Sequence, residues 1–192
     1  MINNKKDLKI VLKYEKSLYL KKKLKMRIGQ RLAGSYQPQI YRYIVHLRKE
    51  EYFFNAKSGF IKKIGYCYHK RAKRKIGSKL GIDIGKNAFD KGLKILHPFA
   101  IIVNGDAKIG KNCRLHGNVC IGNNGIYNDS LPTIGDNVDI GYGSIIVGKI
   151  NIPNNVIIGA NSFVNKSFFE ENIVIAGNPA HVVKHCNTKI QN

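Results

Sequence analysis

Residues 133–164 read TIGDNVDIGYGSIIVGKINIPNNVIIGANSFV. An aliphatic residue returns at every sixth position: Ile134, Ile140, Ile146, Ile152, Ile158 and Val164. Four positions after each of the first five stands a second compact residue: Val138, Ser144, Ile150, Val156 and Ser162. Gly, Asn, Asp and Pro fill most positions between. A period of six matches neither a helix nor a simple strand. It marks a solenoid, in which each short strand turns one side chain inward before the chain bends.

The same register extends backwards through Ile121, Leu115, Ile109 and Val103, with Val119, Cys113 and Ala107 as companions. Ile84 and Ala88 fit one further hexad, after which FDKGLKILHPFAII (89–102) departs from the pattern. Ile121 and Ile134 are thirteen apart, one more than two hexads, and GNNGIYNDSLPT (122–133) is read as a loop bulging from the coil. Three hexads make one triangular coil of 18 residues, so residues 81–166 supply between four and five coils. Backbone groups then pair with the coils above and below, and Gly or Asn takes the left-handed corners.

Charge divides the chain near Gly81. Residues 1–80 hold 23 Lys/Arg against 4 Asp/Glu, whereas residues 81–192 hold 10 against 8. The expected organisation is a basic helical region (1–80), a β-solenoid (81–168) and a C-terminal tail (169–192). In the first region, 5–28 is read as one helix capped by Asp7. A second starts at Pro38 and buries Ile40, Tyr43, Ile44, Leu47 and Phe54. A third is capped by Ser58, with Phe60, Ile61, Ile64 and Cys67 or Tyr68 inward. This cationic surface is either solvated or meets an anionic membrane. No RNA- or DNA-reading motif appears, so nucleic acid is not an expected partner. No run is long and apolar enough to span a bilayer, and the first residues lack the apolar core of a signal peptide. The expected location is cytoplasmic, or peripheral at the inner membrane face. The four cysteines form no CxxC pair and are read as structural thiols, and no metal site is expected.

The repeat resembles the hexapeptide-repeat acyltransferases. GIDIGKNAFDKGLKILHPFAIIVNGDAKIGKN followed by VCIGNNG (81–112 and 119–125) is similar to their serine acetyltransferase branch, and within it to the shorter O-acetyltransferases of bacterial surface-polysaccharide assembly. The resemblance implies a mainly β fold, a left-handed parallel β-helix preceded by helices. It implies a homotrimer with active sites between subunits and acetyl-CoA as co-substrate. His97 matches the branch's catalytic histidine and Asp83 the acidic residue that orients it. A base held by a carboxylate suits removal of a proton from an acceptor hydroxyl. Asp83 and His97 are 14 apart where the branch commonly has 15, which leaves room for Asp90 as a different partner. His116, 19 residues beyond His97, is a candidate acceptor contact.

The coenzyme A groove is expected to use Gly141, Tyr142, Ala160, Lys166, Pro179 and Lys184, the last two within GNPAHVVK (177–184), with the C-terminal tail alongside. Serine acetyltransferases carry an acidic residue before the catalytic histidine and Arg-His before the proline that resumes the coil. Here Leu96, Ser130 and Leu131 stand at those positions. A zwitterion there would lack counter-charges, so a sugar hydroxyl in a glycan is the favoured acceptor. The alternatives are a serine O-acetyltransferase with a rearranged pocket and a non-catalytic β-helix scaffold.

Overall fold

The computed structural model describes residues 2–56, 59–125 and 130–186. Four helices precede the strands: α1 (Lys5–Tyr19), α2 (Leu24–Leu32), α3 (Gln37–Asn55) and α4 (Phe60–Leu80). The strands that follow are β1 (Ile82–Ile84), β2 (Lys94–Ile95), β3 (Ile101–Val103), β4 (Lys108–Ile109), β5 (Arg114–Leu115) and β6 (Cys120–Gly122). After the loop come β7 (Thr133–Ile134), β8 (Asp139–Ile140), β9 (Ile145–Val147), β10 (Asn151–Ile152), β11 (Ile157–Ile158) and β12 (Phe163–Val164). A hairpin, β13 (Ile173–Gly177) and β14 (Ala180–His185), completes the order.

The strands sort into three parallel sheets. Face A has the order β1-β3-β6-β9-β12, face B β10-β7-β4, and face C β14-β13-β11-β8-β5-β2, with only the β13–β14 pair antiparallel. The chain visits A, B and C in turn, so each circuit stacks on the previous one as a three-sided coil. The regular step is 18 residues, as in Ile102↔Cys120, Asp139↔Ile157 and Thr133↔Asn151. Every aliphatic of the opening hexads is buried, from Ile134 at 2% exposure to Val164 at 0%. The companion serines are buried too, and Ser144 Oγ and Ser162 Oγ both donate to the Gly159 carbonyl, at 3.0 and 2.6 Å.

Three departures from this step are local. First, Phe89 rather than Asp90 takes the inward place on face B, bridging Ile109, so that hexad is one residue short. Second, Ile95 and Val103 are eight apart where two successive inward residues are normally six, so the corner at 97–100 carries two extra residues. Third, Lys108 pairs with Thr133 and Arg114 with Asp139, both 25 apart. The expected "two hexads plus one" between Ile121 and Ile134 is therefore a single hexad step with seven inserted residues. Part of that loop, 126–129, lies outside the described residues.

At one corner Asn112, Asn137 and Asn155 stack in consecutive coils with φ of 56°, 58° and 57°. Asn112 Nδ2 donates to Asn137 Oδ1 and Asn137 Nδ2 to Asn155 Oδ1, each at 3.0 Å. Asparagine tolerates this backbone and its amide satisfies the next coil.

The helical region differs from expectation in three places. The segment 5–28 is two helices, not one. The chain turns after Tyr19, whose hydroxyl donates to the Leu93 carbonyl (2.9 Å) and accepts from Ile95 N–H (2.8 Å). Arg27 Nε donates to the Lys21 carbonyl at 2.7 Å and Gln30 Nε2 to the Tyr19 carbonyl at 3.1 Å, which closes the break. The cap of α1 is Asn4, not Asp7. In α4 the buried residues are His69, Lys73, Gly77 and Leu80, while Phe60, Ile61, Ile64 and Tyr68 are exposed, as is Phe54 of α3. Lys73 turns inward because Glu50 Oε2 and the Ile84 carbonyl, both 2.8 Å away, receive its ammonium. The proposed cap Ser58 lies outside the described residues. Ile40, Tyr43, Ile44 and Leu47 of α3 are buried as expected.

The helices are fastened to the first coil by buried polar groups. Arg48 reaches Glu15 (2.7 Å) and Glu51 (3.0 Å), and donates to the carbonyls of Phe89 (2.8 Å) and Asp90 (2.7 Å). Asn87 N–H donates to Glu51 Oε1 and Gly92 N–H to Glu15 Oε1. Tyr43 accepts Ile84 N–H at 2.9 Å.

Candidate active site

His97 is exposed and sits on the two-residue expansion between faces C and A. The following Phe99 and Ala100 have φ of 78° and 51°, a left-handed pair that non-glycine residues adopt at a cost of roughly 1–2 kcal/mol each. This corner is tied to the end of α4, since Phe99 N–H donates to the Leu80 carbonyl at 2.7 Å and Ile101 N–H to that of Gly81 at 2.9 Å. Tyr36 packs edge-on against Phe99, ring centroids 5.5 Å apart.

The coil register carries this corner along the prism. Gly117 lies against His97: a Cβ there would meet the His97 carbonyl oxygen at 3.1 Å and His97 Cβ at 3.4 Å. On its other side it would meet the Tyr142 ring at 3.4 Å. Gly143 N–H donates to the Gly117 carbonyl, and Asn161 N–H to that of Tyr142. Gly141 N–H donates to Ile158 O and Gly159 N–H to Ile175 O, which puts Ala160 beside Tyr142 and Gly177 beyond it. His97, Gly117, Tyr142, Ala160 and Gly177 therefore follow one edge. Next to it on face C run Leu96, His116, Gly141 and Gly159. A Cβ on Gly141 would come within 2.6 Å of Ala160 N, so the backbone stacks closely there. This narrow strip, bare of side chains at Gly117, Gly141 and Gly159, can admit a thin flexible chain between His97 and the hairpin.

Asp83 projects from face A into a groove of about 560 Å³ lined also by Arg74, Ser78 and Ile102. Among the described residues, neither the His97 ring nor the Asp83 carboxylate has a hydrogen-bonding partner, so the structure does not join the expected pair in the single chain. Asp90 is not brought to His97 either: its Oδ1 accepts Lys91 N–H and its carbonyl meets Arg48. The histidine–carboxylate pair formed on the coil next to His97 is His116 with Asp139, Nε2 to Oδ1 2.7 Å, with Arg114 Nε 3.5 Å from Asp139 Oδ2. Asp139 escaped the sequence reading because it stands beside Arg114 only once seven residues are assigned to the loop. Gly117 was likewise missed.

The other expected residues are dispersed. Ser130 and Leu131 precede β7, so they leave face A at the edge opposite His97. Lys166 follows β12, with Nζ 5.9 Å from the centre of the Phe168 ring, again away from the His97 edge. Pro179, after a cis peptide bond, forms the hairpin turn at the far end of that edge. Lys184 is exposed on β14, the last strand of face C. The tail thus extends face C as a hairpin. Burial pushes the Cys113 and Cys120 thiols up, in keeping with packing roles. Among the described residues no group of three His, Cys, Asp or Glu is placed to hold a metal, and no helix is long and apolar enough to cross a membrane.

No family model matches the chain. In sequence it is similar to the serine acetyltransferase of Staphylococcus epidermidis, 38% identical over 111 residues that span 57% of this chain and 49% of that protein. The chain spans about half the length of the curated relatives it matches. In fold it is similar to the serine O-acetyltransferase of Brucella melitensis, a transferase with hexapeptide repeats, with a TM-score of 0.72, 22% identity and coverage of 95% of this chain and 71% of that one. It is also similar to the Brucella abortus serine acetyltransferase in complex with coenzyme A, at a TM-score of 0.69, 22% identity and coverage of 94% and 67%.

Proposed function

We propose that this protein is an acetyl-CoA-dependent O-acetyltransferase of the serine acetyltransferase type, built on a left-handed coil and acting in the cytoplasm. The observation that carries the reading is the single edge shared by His97, Gly117, Tyr142 and Ala160, in a chain whose sequence and fold are both similar to serine acetyltransferases. Acetyl-CoA would supply the activated thioester. The strip along Gly117, Gly141 and Gly159 carries no side chains and would take its narrow arm; a Cβ at any of the three would press on a neighbouring coil. His97 would take the proton of the acceptor hydroxyl and pass it on when the thiol departs. Asp83, on the same coil, is the proposed orienting carboxylate.

Assembly as a homotrimer is part of the same proposal. Face A carries an outward column of Ile102, Cys120, Ile145 and Phe163 next to Asp83, an apolar stripe suited to a subunit contact. The loop bearing Ser130 and Leu131 leaves the opposite edge of that face, so it would reach the His97 of a neighbouring copy rather than its own. Lys166, at the edge of face A opposite His97, would meet coenzyme A phosphates only from such a neighbour, whereas Lys184 stands on the hairpin that ends the strip.

Two acceptors follow from different observations. The similarities favour L-serine. Leu96, Ser130 and Leu131 favour a neutral hydroxyl, a sugar of a glycan or surface polysaccharide, because they offer no counter-charge to an amino acid. Acetyl transfer to serine and to a panel of glycosides, measured side by side, separates them. His97→Ala is expected to lower transfer by about 10²–10⁴-fold without changing the oligomeric state. Full activity in that variant rejects His97 as the base, whereas absence of coenzyme A binding by calorimetry would return the protein to the scaffold reading.

A further inference from the structure

We propose that α2, with the cationic cleft beside it, docks on an anionic lipid membrane. α2 is packed inside out. The side opposite its apolar stripe holds Arg27, Gln30 and the half-exposed Met26, and Arg27 and Gln30 spend their donors on the carbonyls of Lys21, Lys22 and Tyr19 at and after the end of α1. The helix buries no residue of its own. Leu24, Ile28 and Leu32, spaced by four and so on one face, are 70%, 51% and 84% exposed. A surface helix of a water-soluble domain turns such a stripe toward the core. Here it faces away, and at 100° per residue Lys25 lies on one flank and Arg31 on the other. Apolar side chains edged by cations match a helix that lies in the plane of a lipid interface.

The surroundings extend the charge. From Lys16 to Lys49 there is no Asp or Glu, against ten Lys or Arg. Arg31 and Arg42 line one hollow. Arg42 continues into a cleft of about 460 Å³ between α3 and α4, whose rim holds Lys75 and Lys79 and whose floor holds Ile76. Among the described residues, Arg31, Arg42, Lys75 and Lys79 have no acidic partner. Such cations fit the phosphates of lipid head groups, each contributing at short range. A second copy of this chain is the less suitable occupant, because two such surfaces would bring like charges together. The proposal does not depend on the acetyl-transfer reading.

The test uses the full chain with vesicles of phosphatidylglycerol and phosphatidylcholine in equal parts, and with phosphatidylcholine alone. Co-sedimentation is expected with the first only, and is released in about 1 M salt, where charges are screened beyond ~3 Å. Ile28→Gln with Leu32→Gln changes only exposed positions. It is expected to weaken vesicle binding by about tenfold or more, with oligomeric state by light scattering unchanged. Arg42→Gln with Lys75→Gln and Lys79→Gln is expected to weaken binding to a similar degree. Binding to neutral vesicles as tightly, no binding to either, or full binding by the Ile28/Leu32 variant overturns the proposal. A change of oligomeric state in that variant with vesicle binding intact assigns the stripe to a subunit contact instead.

Discussion

His116 and Asp139 form the tightest side-chain contact near the proposed base, at 2.7 Å, one coil from His97 and one residue before the glycine that packs on it. A histidine held by a carboxylate keeps one tautomer and one ring orientation. In the proposed reaction it would position the acceptor or the departing group. If the two act as a unit, His116→Ala and Asp139→Asn lower acetyl transfer by similar factors, roughly tenfold to a hundredfold, and the double variant loses little more than either. Additive losses in kcat/KM would show that the two act independently, and no loss in His116→Ala would remove His116 from the reaction. His69 offers a different residue-scale prediction. It packs on Phe53 and has Nδ1 2.9 Å from His46 Nδ1. Burial, with help from His46 and Lys49, lowers its pKa from 6.5 to about 4. The unfolded chain therefore binds more protons than the folded one between those values, so stability falls as pH drops through that window. Thermal unfolding followed from neutral pH down to about 4 is expected to show this decline, and His69→Asn is expected to reduce it.

At the scale of elements, the asparagine corner and the helix ends decide how well each piece holds its place. Asn137 both adopts φ 58° and joins two coils through its amide. Asn137→Gly keeps the backbone and loses the two amide bonds, an expected cost of about 1–2 kcal/mol. Asn137→Ala adds the left-handed penalty and is expected to cost about 1–2 kcal/mol more. Denaturant unfolding of the two variants checks the difference, and equal stabilities would mean that the corner is relaxed. The hexads themselves were legible because a short strand, its inward aliphatic and its turn all lie within six residues. The break between α1 and α2 was less legible: it depends on Tyr19 anchoring to Leu93 and Ile95, partners more than seventy positions away.

For the whole molecule, the Glu15–Arg48–Glu51 cluster joins α1, α3 and the first coil at residues 87–92, on face B and its corner toward face C. Removing Arg48 would leave two buried carboxylates facing each other. Arg48→Met is expected to destabilise by about 3–5 kcal/mol, and Arg48→Met with Glu15→Gln and Glu51→Gln to recover much of that. Unfolding curves of the single and triple variants test this; a single variant as stable as the parent would show that the helices do not depend on the cluster. The sequence by itself determined the repeat, its three-sided winding, the division near Gly81 and the departure of the pattern around His97. These follow from turns and alternation within a few neighbouring residues, so spacing alone reports them. Only the tertiary structure decided that His116 pairs with Asp139, that His97 and Tyr142 share an edge through Gly117, and that α2 and the start of α4 turn apolar residues outward. Those facts depend on how many residues a loop inserts before the next coil and on which helix face meets buried partners such as Glu50 and the Ile84 carbonyl. Neither is set by local spacing, because the free energy that selects them comes from contacts between distant segments.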